Sequence, residues 1–138
     1  TRIDYRYHIA EESILNTPPV FAVFVCLLTL RWLKAEGGIA EMEKRNNIKS
    51  EMLYNAIDNS KIFKGTAAKE DRSKMNVCFV MDNKAAEAQF LEYLQPLGIV
   101  GIKGHRSVGG FRASLYNALE SRSVEVLVKA MNNFEHKY

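Results

Sequence analysis

The stretch MNVCFVM, residues 75–81, carries the strongest strand signal in the chain. Because its apolar character is nearly continuous, it predicts a central strand that is covered on both faces. The surrounding patterns predict three further strands and two helices: strands at 61–65, 99–103 and 111–117, and helices at 84–96 and 122–136. In chain order these elements are β-β-α-β-β-α, which predicts a two-layer α/β domain with its helices on one face of a small sheet.

Two of these elements have a clear periodicity. Within 111–117, the strand period of two places Phe111 and Ala113 on a core face and Arg112 on the opposite, polar face. The last helix has apolar residues at helical spacing, which we interpret as a core stripe: Val124, Leu127, Val128, Met131 and Phe134.

Two long helices precede this domain. The NTPP sequence at 16–19 indicates a helix start, with Thr17 as the N-cap and Pro18 at the first helical position. The helix so begun, at 18–35, is apolar on nearly every side, so we infer that it packs against another domain or subunit. After a glycine pair, a second helix is predicted at 39–58.

Composition and charge exclude several classes of function. With 138 residues, of which 47% are hydrophobic and 25% charged, the chain is typical of a globular domain. Its net charge is only +3, so nucleic acid binding is not expected. The apolar run at 19–30 is too short to span a membrane, since a spanning helix needs about 20 residues.

The cysteines and histidines give no metal-binding pattern. Cys26 and Cys78 lie inside apolar runs, which predicts buried, reduced thiols. Neither they nor the 3 histidines have the spacing of metal ligands, so no metal site is predicted.

The segment 93–119 contains no Asp or Glu, although the chain has 16 acidic residues. Within it, GHRSVGGFRAS gathers His105, Arg106 and Arg112 around the Gly109-Gly110 pair. These side chains have no neighbour in sequence that could balance their charge. Their counter-ion is therefore a carboxylate from elsewhere in the fold, water, or an anionic ligand.

Four motifs resemble those of one family in order and spacing. They are ILNTPPVFAVFV (14–25), LKAEGGIAEMEKRN (33–46), RSKMNVCF (72–79) and the highly specific IKGHRSVGGFRASLYNA (102–118). Through them the chain resembles the C-terminal portion of the phosphoserine aminotransferase family, within class V of the fold type I pyridoxal-phosphate aminotransferases. The resemblance implies the C-terminal domain of such a transferase, with residues 1–33 ending the large domain and 34–138 forming the small domain.

The resemblance also implies an activity. Members of the family transfer an amino group from glutamate to 3-phosphohydroxypyruvate, giving O-phospho-L-serine and 2-oxoglutarate in serine biosynthesis, and many bacterial members also act in pyridoxine biosynthesis. It implies pyridoxal 5'-phosphate as cofactor and a cytoplasmic homodimer with shared active sites. The substrates would be glutamate and a small phosphorylated amino or keto acid, whose two anionic groups suit an acid-free segment with arginines.

The binding residues of the family correspond to five positions of this sequence. Arg112 would bind the substrate α-carboxylate with a two-pronged guanidinium, a geometry that lysine cannot reproduce. His105 and Arg106 would reach the substrate phosphate or distal carboxylate of the neighbouring subunit. Asn16 and Thr17 would contact the cofactor phosphate of the neighbouring subunit, and a simple helix cap is a compatible alternative.

The resemblance places the chemical step outside this chain. In the family, the lysine that binds the cofactor and the acidic partner of the pyridinium nitrogen both lie upstream, so the chain is expected to have no catalytic residue and to be inactive alone. Two alternatives remain open: an independent, non-catalytic anion-binding module, and a subunit that only dimerises through the helix at 18–35.

Overall fold

The structure, a computed structural model, describes residues 3–137 and forms two compact units, one ending at Ile39 and one beginning at Ala40. The helices are α1 (Tyr5–Ala10), α2 (Val20–Ala35), α3 (Gly38–Asn59), α4 (Lys84–Leu94) and α5 (Ser121–Glu135). The strands are β1 (Phe63–Gly65), β2 (Asn76–Met81) and β3 (Phe111–Ser114). Short 3-10 turns lie at Lys69–Asp71 and Gln95–Leu97.

Helix α2 begins later than the sequence predicts. Its N-cap is Pro19, and no side chain caps its first turn, so the prediction of Thr17 as the cap is wrong. A residue that precedes proline avoids the helical conformation. The two successive prolines therefore keep Thr17 and Pro18 out of the helix, which starts at Val20.

Apolar side chains are exposed along α2. None of its residues is buried, and Phe21 and Phe24 remain 80% and 54% exposed. Cys26 is exposed as well, so its predicted burial is wrong. The inference that this helix packs against another domain or subunit stays a prediction. Among residues 3–137, no helix combines the length and the apolar character needed to cross a membrane.

The sheet of the second unit has the order β1-β2-β3, and both pairs are antiparallel. The central position predicted for β2 is confirmed. Its residues alternate between buried and half-buried, so the sheet has a core face with Val77 and Phe79 and an open face with Cys78. The prediction that both faces are covered, with Cys78 buried, is therefore wrong.

Phenylalanine side chains fill the space between the core face of the sheet and the helices. The rings of Phe63 and Phe90 lie 4.9 Å apart, and those of Phe79 and Phe111 lie 5.0 Å apart. Such aromatic pairs add about 0.5–1.5 kcal/mol each beyond their burial. The predicted stripe of α5 is confirmed as core: Val128 is half-buried against the core cluster, and the other four residues are buried, namely Val124, Leu127, Met131 and Phe134.

One predicted strand is wrong. In 99–103, only Lys103 pairs, through an isolated bridge to Phe111. Gly98 and Gly101 adopt left-handed backbone, with φ of 72° and 73°, and this interrupts an extended chain. The described sheet therefore has three strands instead of four, and the two-layer α/β class is confirmed.

Candidate functional site

The predicted substrate-binding residues of the second unit lie on one hairpin. Arg112 N–H donates to the Ile102 carbonyl at 2.8 Å, and Gly104 N–H donates to the Gly110 carbonyl at 2.8 Å. Between them, the His105 carbonyl accepts from the N–H groups of Val108 and Gly109 at 2.9 and 2.8 Å. We call residues 102–112 the arginine hairpin; it carries His105 and Arg106 in its loop and Arg112 on its second arm.

Glycine is required at two positions of the arginine hairpin. A Cβ atom at Gly110 would lie 2.7 Å from the Phe79 carbonyl oxygen and 2.7 Å from Val80 Cγ1, and one at Gly104 would collide with the Gly109 carbonyl. Gly109 and Gly110 adopt φ of 78° and 63°. Both residues of the glycine pair thus have unusual dihedrals, but only at Gly110 would a Cβ atom also lie close to a neighbouring backbone.

Arg112 projects from the open face of the sheet. It lies opposite Cys78 in the strand register and is exposed. Among residues 3–137, neither Arg112 nor Arg106 forms an ion pair. A carboxylate from within the described chain is thus eliminated as the counter-ion, which leaves water, an anionic ligand, or a carboxylate outside the described residues.

A paired arginine elsewhere in the unit shows the contrast. Arg72 donates to both carboxylate oxygens of Asp58, at 2.8 and 2.7 Å. Its guanidinium holds the pKa of Asp58 below the usual range. Arg72 also lies 4.5 Å from the ring centre of Tyr54, so it is a structural ion pair of the fold.

His105 is held by its own loop. Its Nδ1 lies 2.7 Å from Ser107 Oγ and accepts from Ser107 N–H at 3.3 Å. When Nδ1 accepts, the neutral ring carries its proton on Nε2. The exposed imidazole can then donate to an anion through Nε2.

The sequence reasoning missed the anchor of β3. Lys49 on α3 is only 1% exposed, and its ammonium donates to the carbonyls of Leu115, Tyr116 and Leu119 at 3.1, 2.9 and 3.0 Å. Burial lowers the pKa of Lys49. The signal was present in the helical spacing of the buried stripe: Met42, Asn46, Lys49, Ser50, Leu53 and Ile57.

A second polar anchor lies on the open face. Asn76 Oδ1 accepts from Ser114 Oγ at 3.3 Å and from Tyr116 Oη at 3.4 Å. Asn76 is 38 residues from Ser114 in the sequence. The pairing could therefore be found only once the register of β2 and β3 was known. Ser114 and Tyr116, which follow Arg112 on the same face of the chain, are thereby tied to β2.

Asn16 and Thr17 lie in the first unit, in the exposed segment before α2. The N–H of Val20 donates to the Pro18 carbonyl at 2.7 Å, and neither proline has an N–H to offer. Donors for a phosphate would therefore be the Asn16 amide and the Thr17 hydroxyl and N–H. These groups fit a phosphate contact.

The arrangement can bind an anion at the arginine hairpin. Guanidinium groups without an internal counter-ion, a histidine donor and a rigid strand are suited to carboxylate or phosphate. The class of protein follows from a family comparison: residues 4–127 match the model of the aminotransferase class-V family. This chain belongs to that family, whose members are pyridoxal-phosphate-dependent aminotransferases.

Comparison with individual relatives narrows the class to one kind of aminotransferase. The phosphoserine aminotransferase of Bacteroides thetaiotaomicron is 56% identical over 135 residues, which cover 96% of this chain and 38% of the relative. The solved structure of phosphoserine aminotransferase from Bacillus circulans subsp. alkalophilus matches with a TM-score of 0.89 and 36% identity, covering 96% of this chain and 37% of that one. The PLP-bound phosphoserine aminotransferase from Trichomonas vaginalis matches with a TM-score of 0.83 and 38% identity, covering 94% and 37%.

These comparisons confirm the resemblance that the motifs indicated. They also confirm the predicted fold class, an α/β fold of the fold type I transferases. The chain spans less than two fifths of the length of the relatives that it matches.

Proposed function

We propose that this chain is the C-terminal part of a phosphoserine aminotransferase, which transfers the amino group of glutamate to 3-phosphohydroxypyruvate and forms O-phospho-L-serine and 2-oxoglutarate. The observation that carries the proposal is Arg112: a strand-borne guanidinium, without a carboxylate partner in the described chain, inside the most specific motif of the family. All four reactants carry an α-carboxylate, and one fixed arginine can serve each of them.

Arg112 binds that α-carboxylate with two parallel N–H donors. A guanidinium fork fixes both distance and orientation, whereas an ammonium group acts as a point charge. The hydrogen bond from Arg112 N–H to Ile102 and the pairing of its strand with β2 fix the base of the side chain. Binding therefore orients the substrate as well as retaining it.

His105 and Arg106 bind the second anionic group, the phosphate or the distal carboxylate, of a substrate in the neighbouring subunit. Both residues are exposed on the loop of the hairpin, which supports contact with another surface. A homodimer with shared active sites follows from this role. The exposed apolar side chains of α2 support such an association, because large apolar patches mark interaction surfaces.

Pyridoxal phosphate, when bound, supplies the carrier for the amino group and the electron sink for the reaction. Asn16 and Thr17 hold its phosphate from the neighbouring subunit through the donors described above. The resemblance puts the covalent lysine and the acidic partner upstream, so residues 1–33 end the large domain, 34–138 form the small domain, and the chain alone is inactive. The family resemblance implies a cytoplasmic enzyme of serine biosynthesis, with a further role in pyridoxine biosynthesis.

The test is Arg112→Lys in the full-length protein that contains this chain. We expect kcat/KM to fall roughly 10- to 150-fold, since a hydrogen bond to a charged group contributes about 1.5–3 kcal/mol. Arg122→Lys, an exposed change at the start of α5, is the matched control and leaves the kinetics unchanged. Unaltered kinetics in Arg112→Lys would remove this arginine from the site.

The non-catalytic alternatives have their own tests. An open reading frame that continues upstream into a lysine-bearing, pyridoxal-phosphate-binding domain favours the enzyme, whereas a start codon just before Thr1 favours an independent module. Light scattering of the isolated chain tests dimerisation through α2, and a clean monomer contradicts it.

A further inference from the structure

We propose that Lys49 is a positioning residue for Arg112: its buried ammonium fixes the chain at the C-terminal end of β3 and so sets the direction of the guanidinium. The proposal rests on the proposed function for the role of Arg112. It adds a residue that lies on a different element, 63 positions before Arg112 in the sequence.

All three donors of the Lys49 ammonium are used. Their acceptors are three backbone carbonyls of one short segment, 115–119, at 3.1, 2.9 and 3.0 Å. Among residues 3–137, Lys49 forms no ion pair with a carboxylate. Burying a cation without a counter-ion is costly unless dipoles replace its hydration. The three carbonyls replace it, and each would lose its partner if the ammonium were removed.

The anchored segment is continuous with the strand that carries Arg112. On the N-terminal side, Arg112 is held by its hydrogen bond to Ile102. On the C-terminal side, Leu115 N–H donates to the Met75 carbonyl at 2.7 Å, while the Leu115 carbonyl accepts from Lys49. Three residues of extended chain span only about 10 Å. A change in the backbone direction at Leu115 therefore shifts the Cα atom of Arg112 and reorients its side chain.

A second bond from the same helix supports this reading. Asn46 Nδ2 donates to Asn117 Oδ1 at 2.8 Å, three residues before Lys49 on the same buried stripe of α3. Helix α3 therefore holds segment 115–119 at two points, through Asn46 and through Lys49. Two-pronged binding needs alignment within roughly 0.5 Å and 10–20°, so this fixation matters for binding beyond its effect on stability.

The experiment uses the full-length enzyme loaded with pyridoxal phosphate. Lys49→Met removes the ammonium but keeps an unbranched chain, and Lys44→Met, an exposed change on the same helix, is the matched control. We expect KM for glutamate and for 3-phosphohydroxypyruvate to rise together by about 10-fold or more, because a misplacement of about 1 Å can cost 10²-fold. Lys44→Met leaves both unchanged. A loss of active enzyme with both KM values unchanged would show a purely structural role and overturn the proposal.

A double-mutant cycle tests the route through Arg112. If Lys49 acts by aligning that guanidinium, Lys49→Met in the Arg112→Lys background changes KM by less than about 2-fold, since coupled residues are not additive. Fully additive effects overturn the proposal. Should Lys49→Met not fold, Asn46→Ala takes its place; a raised KM supports the anchor, and an unchanged KM overturns it.

A readout without catalysis separates this proposal from the proposed function. Wild-type enzyme that does not transaminate these substrates refutes the function alone. Amide hydrogen exchange then tests the positioning role of Lys49 without catalysis. If Lys49 fixes the end of the strand, the amides of Arg112 and Leu115 should exchange about 10-fold faster or more in Lys49→Met. Unchanged exchange at both amides overturns the positioning role.

Discussion

Gly110→Ala tests the close approach between the arginine hairpin and the central strand. At φ of 63°, an alanine bears a left-handed strain of about 1–2 kcal/mol. Its Cβ would also lie 2.7 Å from the Phe79 carbonyl oxygen, on a strand whose Phe79 side chain is fully buried. Overpacking of this kind costs about 1–3 kcal/mol, so the total loss of unfolding free energy is about 2–5 kcal/mol.

Gly109→Ala is the matched control, because it has φ of 78° but nothing within 4 Å of the new Cβ. It bears the strain of about 1–2 kcal/mol without the overlap. The difference of about 1–3 kcal/mol corresponds to about 3–10 °C in Tm for a chain of this size. Thermal melts should be followed by far-ultraviolet circular dichroism, since the single tryptophan, Trp32, lies in the first unit. Equal Tm values for the two variants would refute the overlap.

Three further changes probe the second unit. Asp58→Asn removes a carboxylate whose pKa is lowered by Arg72. The ion pair contributes about 1 kcal/mol to the free energy of unfolding above pH ~4, and this contribution is lost as the pH falls through the lower pKa of the folded state. When unfolding free energy is measured against pH, the variant should therefore lack this acid-dependent loss of stability. Phe90→Ala opens the aromatic core and should cost about 3–5 kcal/mol in urea denaturation, while a loss below about 1 kcal/mol would contradict the packing. Asn83→Ala removes the cap that accepts from Ala85 N–H at 2.9 Å and should lower the unfolding free energy by about 1 kcal/mol; no change would show that the cap contributes nothing.

Local periodicity predicted much of the second unit. The stripe on α5 and the alternation around Arg112 both follow from side-chain direction, which a sequence encodes directly. The segment 99–103 was misjudged because its apolar residues resemble a strand, while the left-handed glycines at 98 and 101 are what determine its backbone. The strand propensity of individual residues does not predict where a left-handed glycine will interrupt the strand.

The site was predicted only in part. Arg112 and its hairpin could be found from the motif and from the missing acidic residues, but the carbonyls that hold Lys49 are supplied by a segment 66–70 residues away. Backbone acceptors have no signature in the sequence. The partners of Asn16 and Thr17 in the proposed dimer stay a prediction.

Every buried apolar side chain that the structure describes lies at or after Met42. The buried apolar residues of the second unit are therefore all supplied by its own sequence. A shortened polypeptide that begins near Gly38 should be a self-sufficient module, small enough for isotope-labelled spectroscopy and suitable for transplantation into chimaeric relatives.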